Sequence, residues 1–304
     1  MAFAHPIGGV RPVRSSRRRG YFVPVLLLTP AMLWLTVFFV VPTISLASQS
    51  LQTGDIDNGY TLTWNFQTYA DALARYWPHF LRSFGYAATA TVGTLLLGYP
   101  LAWFIAHRSG KYKNALLVLV VAPFFTNFLI RTLAWQIILT DTGPVTGFFR
   151  ATGLTSVLQA VGLTNNDTLL FSPFAVVSGL VYNFLPFMVL PLYASLERLD
   201  TRLLDAAGDL YANGWHTFWR VIWPLSLPGV VSGTLLTFIP AAGDYINSKL
   251  LGNTQTVMIG QVIDAQFLRV LDYPIAAALS FILMAAIIIL VSVYVRAAGT
   301  EELV

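Results

Sequence analysis

Six long stretches of the chain contain no Asp, Glu, Lys or Arg, and each is long enough for one membrane crossing. A bilayer core about 30 Å thick needs about 20 apolar helical residues. The stretches cover residues 20–54, 83–107, 114–130 (continuing past Arg131 to Thr140), 168–196, 221–243 and 273–295. This pattern predicts an all-α integral membrane protein with six transmembrane helices.

Composition supports the membrane assignment and excludes several kinds of chemistry. The chain is 56% hydrophobic and 11% charged, whereas a soluble domain carries charge on about a quarter of its residues. It has no cysteine, which excludes disulfides and thiolate metal sites, and its four histidines are not spaced as metal ligands. We therefore predict no metal site, and the sequence shows no catalytic nucleophile and base pair.

The distribution of basic residues predicts the orientation of the helices. If the N-terminus is cytoplasmic, twelve of the 18 Lys and Arg residues lie on the inner side and five on the outer side. Because cytoplasmic loops are enriched in Lys and Arg, both termini are expected in the cytoplasm. Residues 1–19 then form a basic cytoplasmic segment, and residues 20–304 a single transmembrane domain in contact with lipid. The basic flank accounts for the positive charge without a nucleic-acid partner.

The loop between the fourth and fifth predicted spans, residues 197–223, contains the most specific motif. Asp205-Ala206-Ala207 is followed at fixed distances by Tyr211, Val221 and Pro224. This spacing resembles the EAA loop of permease subunits in ABC importers, which is Glu-Ala-Ala, three residues, Gly, nine residues, Ile, one residue and Leu-Pro. We call residues 197–223 the EAA-like loop. Its tryptophans, Trp215, Trp219 and Trp223, recur every four residues and are expected on one helical face at the membrane boundary.

The resemblance implies that this loop is a cytoplasmic coupling helix, which docks on a separate ATPase subunit. The positions carried over are Asp205, Ala206, Ala207, Gly208, Leu210, Tyr211, Asn213, Gly214 and Pro224. Small residues allow close approach, and Leu203, Leu204 and Leu210 offer an apolar face. Tyr211 replaces the family glycine, where a positive φ is costly for a tyrosine. Asn213-Gly214 is an alternative position for the turn.

Further segments resemble the spermidine/putrescine permease subgroup of ABC importers, which adopts the type I importer permease fold. They are residues 123–135, 179–193, 196–200 and 239–245. The resemblance implies a second permease subunit, two ATPase subunits that bind ATP and Mg, an extracytoplasmic substrate-binding protein and a small cationic substrate, in a bacterial cytoplasmic membrane. The only Gly-Lys pair, Gly110-Lys111, lacks the upstream glycine of a phosphate-binding loop. We therefore expect no ATPase activity in this chain.

Candidate residues of the substrate pathway lie in the third and fourth spans and at the outer end of the fifth span. Asp244 is an acidic residue at the outer end of that span, and ionisable groups at membrane depth are functional candidates. Tyr245, Trp135 and Tyr182 offer aromatic faces to a cation. Two structural alternatives remain for Asp244, an ion pair with Arg131 and a cap at a helix end, and the aromatic residues also fit simple packing.

Other classes of membrane protein remain as alternatives at this point. An ABC permease for a different small solute has the same motifs. A secondary transporter also has kinked helices but is expected to show paired interrupted helices or several buried carboxylates. A noncatalytic membrane scaffold gives no reason for the EAA-like loop.

Overall fold

The computed structural model describes residues 22–164 and 168–297, with side chains from residue 26 onward. The chain forms two compact units, Met1–Gln49 and Ser50–Val304. A continuous helical stretch begins with α1 (Phe22–Leu35), passes through a π-helical turn (Thr36–Val40) and ends with α2 (Val41–Ser50). The predicted basic segment, residues 1–19, lies outside the described residues.

The second unit is mainly helical. Its elements are β1 (Gln52–Asp55), β2 (Gly59–Leu62), α3 (Gln67–His107), α4 (Lys113–Val121), α5 (Phe128–Ile138), α6 (Pro144–Ala151), α7 (Leu154–Ala160), α8 (Pro173–Glu197), α9 (Thr201–Asp209), α10 (Gly214–Thr217), α11 (Trp223–Ala242), α12 (Ile246–Leu251), α13 (Ile259–Ala265) and α14 (Tyr273–Ala297). The two strands pair as an antiparallel hairpin.

Five helices in the described part of the chain are long and apolar enough to cross a membrane. They are Leu26–Ser50, Gln67–His107, Pro173–Glu197, Gly214–Ala242 and Tyr273–Ala297. These helices confirm the all-α membrane architecture and correspond to five of the six predicted spans. The remaining span, the third, is a bent pair of helical segments.

The third predicted span is not the single straight helix expected over residues 114–140. Gly110–Phe125 and Phe128–Ile138 meet at 96°. Thr126 takes an extended conformation after the short 3₁₀ turn, and the side chain of Asn127 caps α5 by accepting a hydrogen bond from the Leu129 N–H at 2.8 Å. Because the chain changes direction here, counting residues from Asn114 does not give the depth of Arg131.

The second span begins well before its predicted start at residue 83. Helix α3 has 41 residues and is therefore about 60 Å long at 1.5 Å per residue, twice the thickness of a bilayer core. Arg75 and Arg82 interrupt the apolar stretch in the sequence but not the helix. The Arg82 Nη1 donates a hydrogen bond to the carbonyl of Val257 at 2.9 Å, which ties the extension to the segment before α13.

Helices α3, α8 and α11 pack together in the core of the second unit. On α11, a Cβ at Gly229 would lie 2.6 Å from the Ser195 Cβ, and one at Gly233 would lie 2.7 Å from the Met188 sulfur. Glycines four residues apart share a helix face, and small residues let membrane helices approach closely. This glycine face fixes α11, and with it the end of the EAA-like loop, against α8.

Candidate functional site

The first half of the EAA-like loop is helix α9, which has one face on the protein and one face exposed. Asp200 caps its start by accepting a hydrogen bond from the Arg202 N–H at 2.9 Å. Ala207 is 8% exposed and Leu204 packs against the core, whereas Leu203 is 46% exposed and Leu210 81% exposed. Asp205 and Ala206 are exposed as well. Ala207 therefore does not offer the outward contact expected of it, and the accessible face is formed by Leu203, Ala206 and Leu210.

Tyr211 forms the turn that ends α9. Its φ is +57°, and two hydrogen bonds close the helix, from the Tyr211 N–H to the Gly208 carbonyl at 2.9 Å and from the Ala212 N–H to the Ala207 carbonyl at 3.0 Å. This is the Schellman arrangement, in which the left-handed residue is usually glycine. The alternative turn at Asn213-Gly214 is wrong, because Asn213 instead caps α10 by accepting the His216 N–H at 2.9 Å.

We expect Tyr211→Gly to stabilise the end of α9. A non-glycine residue in the left-handed region costs about 1–2 kcal/mol, and the Tyr211 side chain, 98% exposed, has no packing to lose. Hydrogen exchange of the amides in residues 207–212 is therefore expected to slow about fivefold, which corresponds to about 1 kcal/mol. Tyr211→Ala is the matched control, because it removes the ring but keeps the Cβ. Equal slowing in both variants would contradict a backbone cause.

The second half of the loop leads into α11 through a row of aromatic residues. Trp219 lies 5.6 Å from both Trp215 and Trp223, measured between ring centroids. The expected tryptophan face is therefore confirmed. Pro224 lies inside the continuous helix Gly214–Ala242, just after the π-helical turn Phe218–Ile222, where the hydrogen-bond register changes and its missing N–H is accommodated. Added Cβ atoms at Gly208 and Gly214 would meet no described atom within 4 Å, so no contact in the described chain requires these two residues to be small.

An apolar groove of about 800 Å³ lies between the loop and α3. Tyr99 and Trp103 of α3 form one wall, and Gly208, Phe218 and Trp219 belong to the other. At the start of the loop, the Lys113 Nζ lies 2.5 Å from a Glu197 carboxylate oxygen. This ion pair links the beginning of α4 to the end of α8, at the first residue of the EAA-like loop.

A buried polar cluster next to Asp244 joins α5, α8 and α12 through Asn183 and Asn247. The Asn247 N–H and Nδ2 donate to the two Asp244 carboxylate oxygens at 2.8 and 3.1 Å. The Asn183 Nδ2 donates to the Asn247 Oδ1 at 3.0 Å and contacts the Thr132 Oγ1 at 3.4 Å. None of these four residues is more than 8% exposed. The negative carboxylate fixes the orientation of both amides, since it can only accept.

The structure corrects one structural alternative for Asp244 and refines the other. The three ion pairs among the described residues are Lys113–Glu197, Arg150–Asp141 and Lys249–Asp264, so Asp244 and Arg131 do not pair. Asp244 does act as a cap, but at the start of the next helix, α12, and not at the end of α11. Its carboxylate therefore lacks a cationic partner in the part of the chain that is described.

The three aromatic candidates separate into a pair and a single residue. Trp135 and Tyr182 stack with ring centroids 5.4 Å apart and planes 3° from parallel, and the Trp135 Nε1 donates to the Ser178 Oγ at 3.3 Å. Tyr245 is 40% exposed, and the Lys249 Nζ lies 5.8 Å from its ring centroid. The Tyr245 face is thus already close to a cation of the chain itself.

Sequence reasoning missed Asn183, Asn247 and Thr132. Their uncharged side chains do not interrupt a stretch defined by the absence of Asp, Glu, Lys and Arg, although an amide among apolar residues, as in residues 179–193, is a usable signal. A Cβ at Gly179 would lie 2.8 Å from the Asn247 Oδ1, so this glycine gives α12 access to α8. Among the residues searched, no group of three or more His, Cys, Asp or Glu side chains is placed to hold a metal.

Comparison with known proteins identifies the class to which this arrangement belongs. The family described as "Binding-protein-dependent transport system inner membrane component" matches residues 98–298. That range runs from the C-terminal third of α3 to the end of α14 and includes the EAA-like loop and the polar cluster. The chain belongs to this family, and the predicted ABC importer permease class is confirmed.

Similar proteins include spermidine/putrescine permeases and a further ABC transporter permease. The spermidine/putrescine transport system permease protein PotB of Escherichia coli (strain K12) is 38% identical over 265 residues, 87% of this chain and 94% of that protein. PotB of Haemophilus influenzae is 36% identical over 265 residues, 87% of this chain and 90% of that protein. The E. coli permease YdcU is 32% identical over 206 residues, 66% of each chain.

Solved structures show the same fold at lower sequence identity. A chain of a bacterial ABC transporter for import of the acidic polysaccharide alginate superposes with a TM-score of 0.63 at 17% identity, covering 94% of this chain and 97% of that one. The transporter in complex with an alginate pentasaccharide-bound periplasmic protein gives 0.62 at 18% identity, covering 92% and 94%. These superpositions confirm the type I importer permease fold.

Proposed function

We propose that this permease subunit imports a spermidine- or putrescine-type polyamine. The observation that carries the proposal is the 38% identity to PotB over 265 residues. The polar cluster supports it, because the buried Asp244 carboxylate has no cationic partner among the described residues. A buried charge without a counter-ion is costly, and an ammonium group of the cargo supplies one. Trp135 and Tyr182 are proposed as aromatic faces beside the same pathway, and Tyr245 next to Asp244.

The exposed face of α9 is proposed as the contact with an ATPase subunit. Leu203, Ala206 and Leu210 form an apolar surface that the described chain leaves open, and Gly208 is small without any contact in the described chain that requires it. ATP and Mg bind to the ATPase partners in this proposal. The Lys113–Glu197 ion pair then transmits movement of the loop to the bent third span, because it ties α4 to the residue from which the loop begins.

The partners proposed for the complex are a second permease subunit, two ATPase subunits and an extracytoplasmic binding protein. Closure of the ATPases moves the coupling helices and opens the cavity outward, and hydrolysis resets it. The chain itself binds the cargo, changes conformation and closes the pathway on the opposite side of the membrane, without a covalent step. Membership of the importer family removes the basis for the secondary-transporter and scaffold alternatives.

The proposed orientation has both termini and the EAA-like loop in the cytoplasm. We expect an impermeant thiol reagent, added to intact cells, to leave an Asp209→Cys variant unlabelled and to label an Ile56→Cys variant in the outer hairpin. Both positions are exposed, and the unmodified chain has no cysteine to react. Labelling of Asp209→Cys from outside would contradict the orientation. As a control, the same reagent is added to permeabilised cells, where it is expected to label Asp209→Cys.

The cargo is tested by competition for uptake. Cells that express the complete complex as their polyamine importer are supplied with labelled spermidine, and unlabelled putrescine, a neutral sugar or an acidic sugar is added in excess. We expect competition from putrescine alone, because the proposed site pairs a carboxylate with an ammonium group. Competition from a sugar, with no effect of putrescine, would contradict the proposed cargo.

A further inference from the structure

Arg131 is a buried cation whose charge the described chain does not neutralise. The side chain lies on α5 and is 8% exposed. Its Nε and Nη1 are enclosed and have no hydrogen-bond acceptor among the described residues. The guanidinium carbon lies 5.6 Å from the Phe124 ring centroid and 5.5 Å from that of Phe128. Two phenyl rings thus hold the guanidinium in place but offer it no hydrogen-bond acceptor.

No acid in the described part of the chain is available to Arg131. The three ion pairs found there use other residues, and the buried Asp244 is not paired with Arg131. Leaving a buried charge without a partner is strongly unfavourable, and contact with aromatic rings offsets only a small part of that cost. The assembled transporter must therefore supply an acceptor that this chain lacks.

The surface around Arg131 is apolar and faces away from the core of this chain. Phe125 is 87% exposed, Ile130 64% and Ile137 69%. Ile130 and Ile137 share one exposed face of α5, about 100° around the helix from the buried Arg131, and Phe125 lies on the other side of the 96° bend between α4 and α5. A buried arginine beside an exposed apolar helix face fits an interface in which surrounding apolar contacts exclude water from a specific charge pair.

We propose that the second permease subunit packs against the α4–α5 bend and places a carboxylate on Arg131. The proposal rests on the proposed function for the existence of that subunit. An arginine disfavours the cationic cargo as its partner, because like charges repel. The Nη2 is the one guanidinium nitrogen that is not enclosed, so the acceptor reaches the guanidinium through this nitrogen, and the exposed apolar face of α5 beside it gives a helix of the second subunit a surface from which to place a carboxylate there.

Replacement of Arg131 tests the pairing through assembly. The complete complex is purified from membranes by a tag on this chain, and the recovered second permease subunit is quantified. We expect Arg131→Met to reduce that recovery at least tenfold and Arg131→Lys to reduce it less. Arg269→Met, at an exposed arginine, is the matched control and is expected to have no effect. Arg131→Glu should be rescued when one membrane acid of the second subunit is changed to arginine.

Normal recovery with Arg131→Met would overturn the proposal. So would a changed cargo selectivity with intact assembly, which would assign the guanidinium to the cargo, or a selective loss of anionic lipid from the intact complex, which would assign it to a phosphate. If the Arg131→Met protein is not stable enough to purify, a second experiment uses Ile130→Cys and Ile137→Cys variants that keep Arg131. Each is crosslinked to cysteines introduced in the spans of the second subunit. Failure of both to crosslink would also overturn it. Assembly is measured without cargo, so a wrong cargo assignment leaves this test unaffected.

Discussion

Asp244→Asn is expected to lower polyamine uptake at least tenfold while the complex still assembles. The substitution keeps the size of the side chain and removes the charge that the cargo is proposed to meet. A tenfold loss corresponds to about 1.4 kcal/mol, a modest value for one buried carboxylate–ammonium contact. Uptake is measured in vesicles with the same amount of complex for each variant.

The hydrogen bonds around Asp244 explain why this variant is expected to fold. An asparagine oxygen still accepts the Asn247 N–H and so preserves the cap of α12. Its Nδ2 faces the Asn247 Nδ2, but rotation of the Asn247 and Asn183 amides restores donor–acceptor pairing, because the Asn183 Oδ1 has no partner among the described residues. Asp272→Asn is the matched control, since the Asp272 Oδ1 caps α14 by accepting the Ile275 N–H at 3.1 Å. Unchanged uptake with Asp244→Asn would reject a role for its charge.

Ala206→Arg is expected to separate the ATPase subunit from the permease. The position lies on the exposed face of α9, so a long charged side chain blocks close docking without entering the core. We expect the amount of ATPase recovered with the permease to fall at least tenfold, and cargo-stimulated ATPase activity to disappear. Membrane insertion should remain normal.

Two comparisons make the coupling test specific. Ala151→Arg, at an exposed alanine at the end of α6, introduces the same side chain on the predicted outer side and should leave ATPase recovery unchanged. Ala207→Arg should lower the yield of the permease itself, because Ala207 is 8% exposed and faces the core. Full ATPase recovery with Ala206→Arg would show that this face is not the docking surface.

The membrane-spanning helices were the most predictable part of the fold, because the bilayer requires long apolar stretches. The boundaries were less predictable. The search for uncharged stretches missed the first part of α3, because that part contains Arg75 and Arg82. A helix that extends beyond the bilayer can carry charged residues. The bend at Thr126 and Asn127 was missed because hydropathy does not indicate the direction of a helix axis. The axis changes here only through the backbone conformation of those two residues.

The candidate site was predictable where it depends on spacing and unpredictable where it depends on contacts. The EAA-like motif located α9, but which alanine faces outward depends on how α9 packs on the core. The conformational preference of tyrosine did not predict the turn at Tyr211. The hydrogen bonds that close α9 hold this residue in a left-handed conformation that tyrosine disfavours. Asp244 was found by its charge, whereas its partners Asn183 and Asn247 come from elements distant in sequence.

ATP-driven accumulation of a polyamine in a closed vesicle tests the central claim most directly. The complete complex is reconstituted with its binding protein outside, on the side proposed for the hairpin, and with ATP enclosed inside. Ion gradients are abolished with ionophores. Spermidine or putrescine should accumulate only with hydrolysable ATP, and the same complex carrying Asp244→Asn should accumulate at least tenfold less. Accumulation without ATP, or ATP-driven accumulation of a neutral solute with no polyamine uptake, would contradict the account.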